Sequence, residues 1–145
     1  MNRGKKPLLQ TMGREMTITT HGFDDIPEGP NVFVANHACM RDIFAIPAGL
    51  PEDCDVVISS RLAYKNSSVY TAVRRLVIEN ALHTIPLEVH GGKEYLEVGL
   101  KMAKQALLDG RSLLIFPEGA YTGSAQVTKG RTGASRILFG ASIGG

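Results

Sequence analysis

His37 and Asp42 stand five positions apart in the run Asn36-His37-Ala38-Cys39-Met40-Arg41-Asp42. The run follows the apolar stretch Val32-Phe33-Val34-Ala35, which reads as a short buried strand. The pair is therefore expected in a loop at the strand's C-terminal end. Such a loop can turn one imidazole nitrogen towards substrate and the other towards a carboxylate, the arrangement of an oriented general base. A second segment of the same design, Phe116-Pro117-Glu118-Gly119, follows the apolar run Leu113-Leu114-Ile115. The His/Asp spacing alone is common; two strand-end loops carrying reactive groups are a sharper signal.

In these two segments the chain resembles the glycerolipid acyltransferases of the 1-acylglycerol-3-phosphate acyltransferase type. That family carries Asn-His-x-x-x-x-Asp and, further along, Phe-Pro-Glu-Gly. Ile85-Pro86-Leu87-Glu88 resembles its Ile/Phe-Pro-Val-Asp segment. Lys129-Gly130-Arg131-Thr132-Gly133-Ala134-Ser135-Arg136 resembles a Lys-Gly-x-Thr-Gly-x-x-Arg stretch of some members. The resemblance runs from about Ile26 to Arg136, with the four segments in the family's order. It implies transfer of a fatty acyl group from acyl-CoA or an acyl carrier protein to the hydroxyl of a lysophosphatidic-acid-like acceptor in phospholipid biosynthesis. His37 and Asp42 are then the expected catalytic residues. Asn36, Glu118, Gly119, Lys129 and Arg131 are the expected substrate-binding residues. No cofactor and no metal are expected, because the acyl donor is a substrate. The expected partners are the acyl donor, a lysophospholipid and a membrane surface, with no nucleic acid. The expected place is the cytoplasm, peripheral at the inner face of the membrane.

The chemistry follows from the residue types. An alcohol is a poor nucleophile, and an ordinary imidazole, with a pKa of about 6.5, is available as a base near neutral pH. His37 would take the acceptor's hydroxyl proton. Asp42 would hold the other ring nitrogen protonated and stabilise the imidazolium. The attack needs no acyl-enzyme, and backbone amides around Gly119 are candidate donors to the oxyanion.

Two positions depart from the family pattern. Val89, followed by His90, stands where the family usually has an Arg after Ile-Pro-Val-Asp. Ala120 and Tyr121 stand where it usually has Thr-Arg. Neither Val nor Tyr supplies the bidentate fork by which Arg grips a phosphate. Lys93, Lys129 and Arg131 could compensate; a lysophospholipid, an amino-lipid or a non-phosphorylated alcohol are the alternative acceptors. Other readings are weaker. Cys39 as a nucleophile based by His37 suffers from the two-residue spacing, which turns the side chains apart in an extended loop. His37, Cys39, Asp42 and Cys54 lack a recognised metal-ligand spacing. The rival of substance is a truncated or degenerate homologue that binds lipid or membrane without catalysis.

The elements that position these residues alternate between strand and helix. Residues 16–20 alternate and read as an early strand. Residues 22–30, rich in Pro, Gly and acids, read as a loop. A helix is expected to open at Asp42, and Val56-Val57-Ile58 reads as a second buried strand. Val69, Ala72, Val73, Leu76 and Val77 have helical spacing. Residues 84–89 read as a strand and 113–116 as another. Residues 93–109 read as a helix stopped by Gly110, and 132–141 as a last helix. This order predicts an α/β fold: a mostly parallel sheet flanked by helices, with reactive groups beyond the C-terminal strand ends.

With 145 residues the chain is expected to hold one domain. Residues 1–15 are expected to be a basic arm, because Arg3, Lys5, Lys6 and Arg14 precede any acid. Such an arm suits an anionic surface or is simply solvated. Residues 16–145 are expected to form the N-terminal part of an acyltransferase domain, because the family continues with further strands past Ile143-Gly144-Gly145. No apolar run reaches the roughly 18–20 residues that span a bilayer, and no signal peptide is evident. Cys39 and Cys54 read as reduced thiols.

Overall fold

The computed structural model describes residues 17–39, 41–51, 54–59, 83–87, 92–119, 122–124 and 126–142. The expected arm at 1–15, the helical pattern at 69–80, and Glu88, Val89, His90, Ala120, Tyr121 and Ile143 to Gly145 lie outside them. Among the described residues the elements run β1 (Val32–Val34), α1 (Asp42–Gly49), β2 (Cys54–Ser59), β3 (Thr84–Leu87), α2 (Lys93–Leu108), β4 (Ser112–Ile115) and α3 (Gly133–Ser142). The four strands form one parallel sheet in the order β1-β4-β2-β3. The fold is α/β, as the alternation of elements predicts.

The central strands are apolar on both faces, the pattern of a sheet covered on both sides. Val57, Leu113 and Ile115 face one side, packed with Leu100, Ala103, Leu107 and Ile137 of α2 and α3. Val56, Ile58, Leu114 and Phe116 face the other, against Ile43, Phe44 and Ile46 of α1. Leu113, Leu114 and Val56 are fully buried, and such side chains contribute about 1.5–3 kcal/mol each. α2 shows its expected stripe inward, and Gly110 closes it in a left-handed conformation (φ 78°). Pro47 sits inside α1, at Asp42–Gly49.

Three sequence expectations are corrected. Residues 17–20 form no strand and lie exposed. Ile18 and Thr20 instead stand against Gly49 at the end of α1, so the alternation finds no ladder to join. β1 is half-buried rather than buried, with Val34 57% exposed, because among the described residues it pairs on one side, with β4. β2 starts earlier, at Cys54, because its first residues pair with Ser112 and Leu113 of β4.

The two chain reversals differ in direction. From β1 the chain crosses over α1 to β2, passing β4, and covers the Leu114 face. From β4 it runs to α3, which covers the opposite face and touches α2 and β1. β1 and β4 are neighbours whose connections leave to opposite faces, the switch point at which an open parallel sheet forms its crevice. At the N-terminal end of β2, the buried Asp55 is balanced by an ion pair with Arg111.

Helix α2 approaches β3 at a residue without a side chain. A Cβ on Gly99 would lie 2.7 Å from the Pro86 carbonyl oxygen and 3.2 Å from the Leu87 Cα, both backbone. Gly99→Ala must lift α2 off β3, an overpacking cost of about 1–3 kcal/mol. Urea unfolding should show the midpoint falling with little change in slope. An unchanged midpoint would mean that α2 and β3 do not approach this closely.

Candidate active site

The register of β1 on β4 brings the two strand-end loops level. Val34 pairs with Ile115, and the Ala35 amide still donates to the Ile115 carbonyl at 3.1 Å. Three residues beyond the ladder, the His37 amide meets the Glu118 carboxylate at 2.7 Å. The ring of His37 lies on Phe116, centroids 4.4 Å apart and planes 28° from parallel. The imidazole is buried, 4% exposed, on the side of the sheet that α1 covers.

Asp42 opens α1, and its carboxylate gathers the loop. His37 Nδ1 stands 3.2 Å from its Oδ2. The Cys39 amide donates to the same oxygen at 2.7 Å, and the Cys39 thiol to Oδ1 at 3.4 Å. The Asp42 amide in turn donates to the Cys39 carbonyl at 3.1 Å. Burial by itself raises the Asp42 pKa. The hydrogen bonds from the Cys39 amide, His37, the Cys39 thiol and the Ala38 backbone outweigh it and hold the carboxyl below its ordinary value. An ionised Asp42 is an acceptor only, so Nδ1 is the donor of the pair, and in the neutral ring the lone pair falls to Nε2. That is the tautomer a base requires.

Glu118 organises the opposite side. Its Oε2 accepts from the His37 amide, and its Oε1 accepts from the Thr128 amide (3.0 Å) and hydroxyl (3.1 Å). These bonds, led by the Thr128 amide and then the His37 amide, lower its pKa. Gly119 follows with φ 76°, a conformation that favours glycine. A Cβ there would also meet Arg131 Nε at 3.2 Å, so the guanidinium lies across Gly119. The Gly119 amide donates to the Phe116 carbonyl at 3.1 Å, which closes the turn. As an oxyanion donor it is therefore committed elsewhere.

The remaining segments lock onto these. Thr122 and Gly123 donate backbone bonds to the carbonyls of His37 (2.9 Å) and Ala38 (3.0 Å), and Arg131 to that of Pro117 (2.7 Å). Lys129 and Arg131 are exposed on the turn that follows Thr128, and Asn36 is exposed at the β1 end. Lys93 lies at the start of α2. Cys39 is spent on Asp42 rather than on His37, and Cys54 starts β2. Among the described residues no three His, Cys, Asp or Glu side chains gather as a metal site would. Thr128 is the residue that sequence reasoning missed. It belongs to no motif segment, and its contact with Glu118 exists only once the loop has folded back.

The family profile named Acyltransferase matches residues 17–143. The chain belongs to the acyltransferase family. This acyltransferase-family chain also superposes on the crystal structure of the 1-acyl-sn-glycerophosphate (LPA) acyltransferase PlsC from Thermotoga maritima, with a TM-score of 0.65 and 18% identity. The match covers 94% of this chain and 53% of that one, so the chain spans about half the length of that protein. The likeness is one of fold. No curated protein sequence is significantly similar.

The lowered carboxyls set a pH dependence. A group with a depressed folded pKa contributes stability above its unfolded value, near 3.9 for Asp and 4.3 for Glu as rough references. That contribution is lost as pH falls through the folded value. Thermal midpoints should therefore drop as pH is lowered below about 4.5. Asp42→Asn and Glu118→Gln should each flatten that drop. Parallel curves for the variants and the parent would show that neither carboxylate is held as described.

Proposed function

We propose that the chain transfers a fatty acyl group from acyl-CoA or an acyl carrier protein to the hydroxyl of a lysophosphatidic-acid-like acceptor. The observation that carries this reading is the His37 Nδ1–Asp42 Oδ2 contact of 3.2 Å at the switch-point edge of the sheet, in a member of the acyltransferase family. His37 Nε2 takes the hydroxyl proton as the oxygen attacks the thioester carbonyl. Asp42 keeps the ring oriented and offsets the imidazolium charge. When the tetrahedral intermediate collapses, the C–S bond breaks and the imidazolium returns its proton to the departing thiolate. The ester and the free thiol are the products.

The acceptor side of this reading comprises Asn36, Glu118, Gly119, Lys129 and Arg131. Its support is the exposure of the two cations and the position of Arg131 across Gly119. With Val89 and Tyr121 in place of the family's usual Arg residues, Lys129 and Arg131 are the cations at hand for a phosphate. We further read the protein as peripheral at the inner face of the membrane. The basic residues Arg3, Lys5, Lys6 and Arg14 suit an anionic membrane surface. No helix among the described residues is long and apolar enough to cross a membrane.

The test is thiol release from a panel of acyl-CoAs with lysophosphatidic acid and other lysolipids. Release should depend on the acceptor and fall about 10²–10⁴-fold in His37→Ala. Asp42→Asn should also lose activity, with a smaller effect on the KM for acyl-CoA than on kcat. Acceptor-independent release, or no release from folded protein, would overturn the transferase reading and favour a homologue that only binds lipid.

A further inference from the structure

We propose that Thr128 is a positioning residue, which through the Glu118 carboxylate sets the His37 loop and the cationic turn at 129–131 as one unit. The inference rests on the acyltransferase reading of His37 and deepens its acceptor site.

Glu118 holds both loops at once. One oxygen takes the His37 amide, the other takes the Thr128 amide and hydroxyl. An ionised carboxylate offers about four lone-pair sites, and three are taken by the chain itself. Its service to the acceptor site is therefore exerted through the walls it joins. The bonds are charge-assisted, which gives them short, directional geometry. Further ties keep the three segments from sliding independently. The Arg131 amide donates to the Pro117 carbonyl at 2.7 Å. A Cβ on Gly130 would stand 3.1 Å from Pro117 Cβ, so this turn is seated on the Pro117 ring. The Phe116–Gly119 turn is thus held between the two segments, by the His37 amide on Glu118 and the Arg131 amide on the Pro117 carbonyl, each at 2.7 Å.

The Thr128 hydroxyl is the part of this bridge that a side chain specifies. Any residue but proline supplies the amide; a Ser keeps the hydroxyl, and a Val keeps the shape without it. The hydroxyl completes the Oε1 half of the clamp. Without it Oε1 keeps a single protein donor from this turn, and the carboxylate can rotate away from the His37 amide. A shift of the loop by a few tenths of an ångström moves Nε2 off the line of the acceptor hydroxyl, which costs rate rather than donor affinity.

Two measurements on the full chain test this. In acyl transfer, Thr128→Val should lower kcat about three- to tenfold, the scale of one hydrogen bond to a charged group at an exposed site, with the KM for acyl-CoA unchanged. Thr128→Ser should restore the parent kcat. In Glu118→Gln, the same Thr128→Val change should add little, because the carboxylate it acts through is gone. Independently of activity, the His37 backbone amide proton is followed by NMR as pH is lowered. It should shift as Glu118 takes up its proton, and the midpoint should rise in Thr128→Val but not in Thr128→Ser. A parent that is active while Thr128→Val keeps its kcat overturns the inference and leaves the acyltransferase reading standing. A parent that is inactive overturns that reading, and the amide titration alone then decides the link: equal midpoints in parent and Thr128→Val refute it.

Discussion

The parallel pairing of β1 with β4 is the constraint on which the site depends. The two strands are 81 residues apart in sequence, and that offset holds beyond the ladder at both ends. At its start the Asn31 amide donates to Ser112 Oγ at 2.9 Å, and past its end the His37 amide reaches Glu118. One register fixes both contacts. A slip by one residue would turn Leu113 and Leu114 to the wrong faces and separate the loops in the same step. Since Leu113 and Leu114 fill opposite cores, the packing of the whole sheet guards the geometry of its edge.

At that edge the polar work is done by two carboxylates that do not face each other. Asp42 draws its own loop together from the start of α1, where the helix N-terminus favours a negative charge. Glu118 ties that loop to a turn ten residues further along the chain. Both are held ionised by donors from the chain, so each acts by accepting. His37 between them is pinned at its backbone amide by one carboxylate, at Nδ1 by the other, and over its ring face by Phe116. Few degrees of freedom remain to it, which is what a base that acts on a weakly acidic hydroxyl requires.

Much of this was legible in local pattern. The apolar runs before His37 and before Glu118 read as strands, and β1 and β4 stand there. The periodicity over 93–109 and Gly110 behind it read as a helix with its stop, and α2 fills that span. The alternation at 16–20 misled, because alternation describes a side-chain pattern and a strand also needs a free neighbour to pair with. β1 read as buried for a related reason: an apolar run does not say whether the strand lies inside the sheet or at its edge.

By itself the sequence determined the residue types capable of proton transfer and the strand ends that carry them, because these rest on short spacings and on hydrophobic period, while four motif segments carried the family resemblance. Tertiary structure decided the rest. The insertion of β4 between β1 and β2 made neighbours of the two strand ends. Past β4 the loop's own folding committed the Gly119 amide to its turn, set Arg131 across Gly119, and brought Thr128 back to Glu118. The meeting of His37 with Glu118 is set by backbone register, a property of the assembled sheet rather than of any stretch of chain, and the loop contacts by how the segment after Glu118 folds back on it.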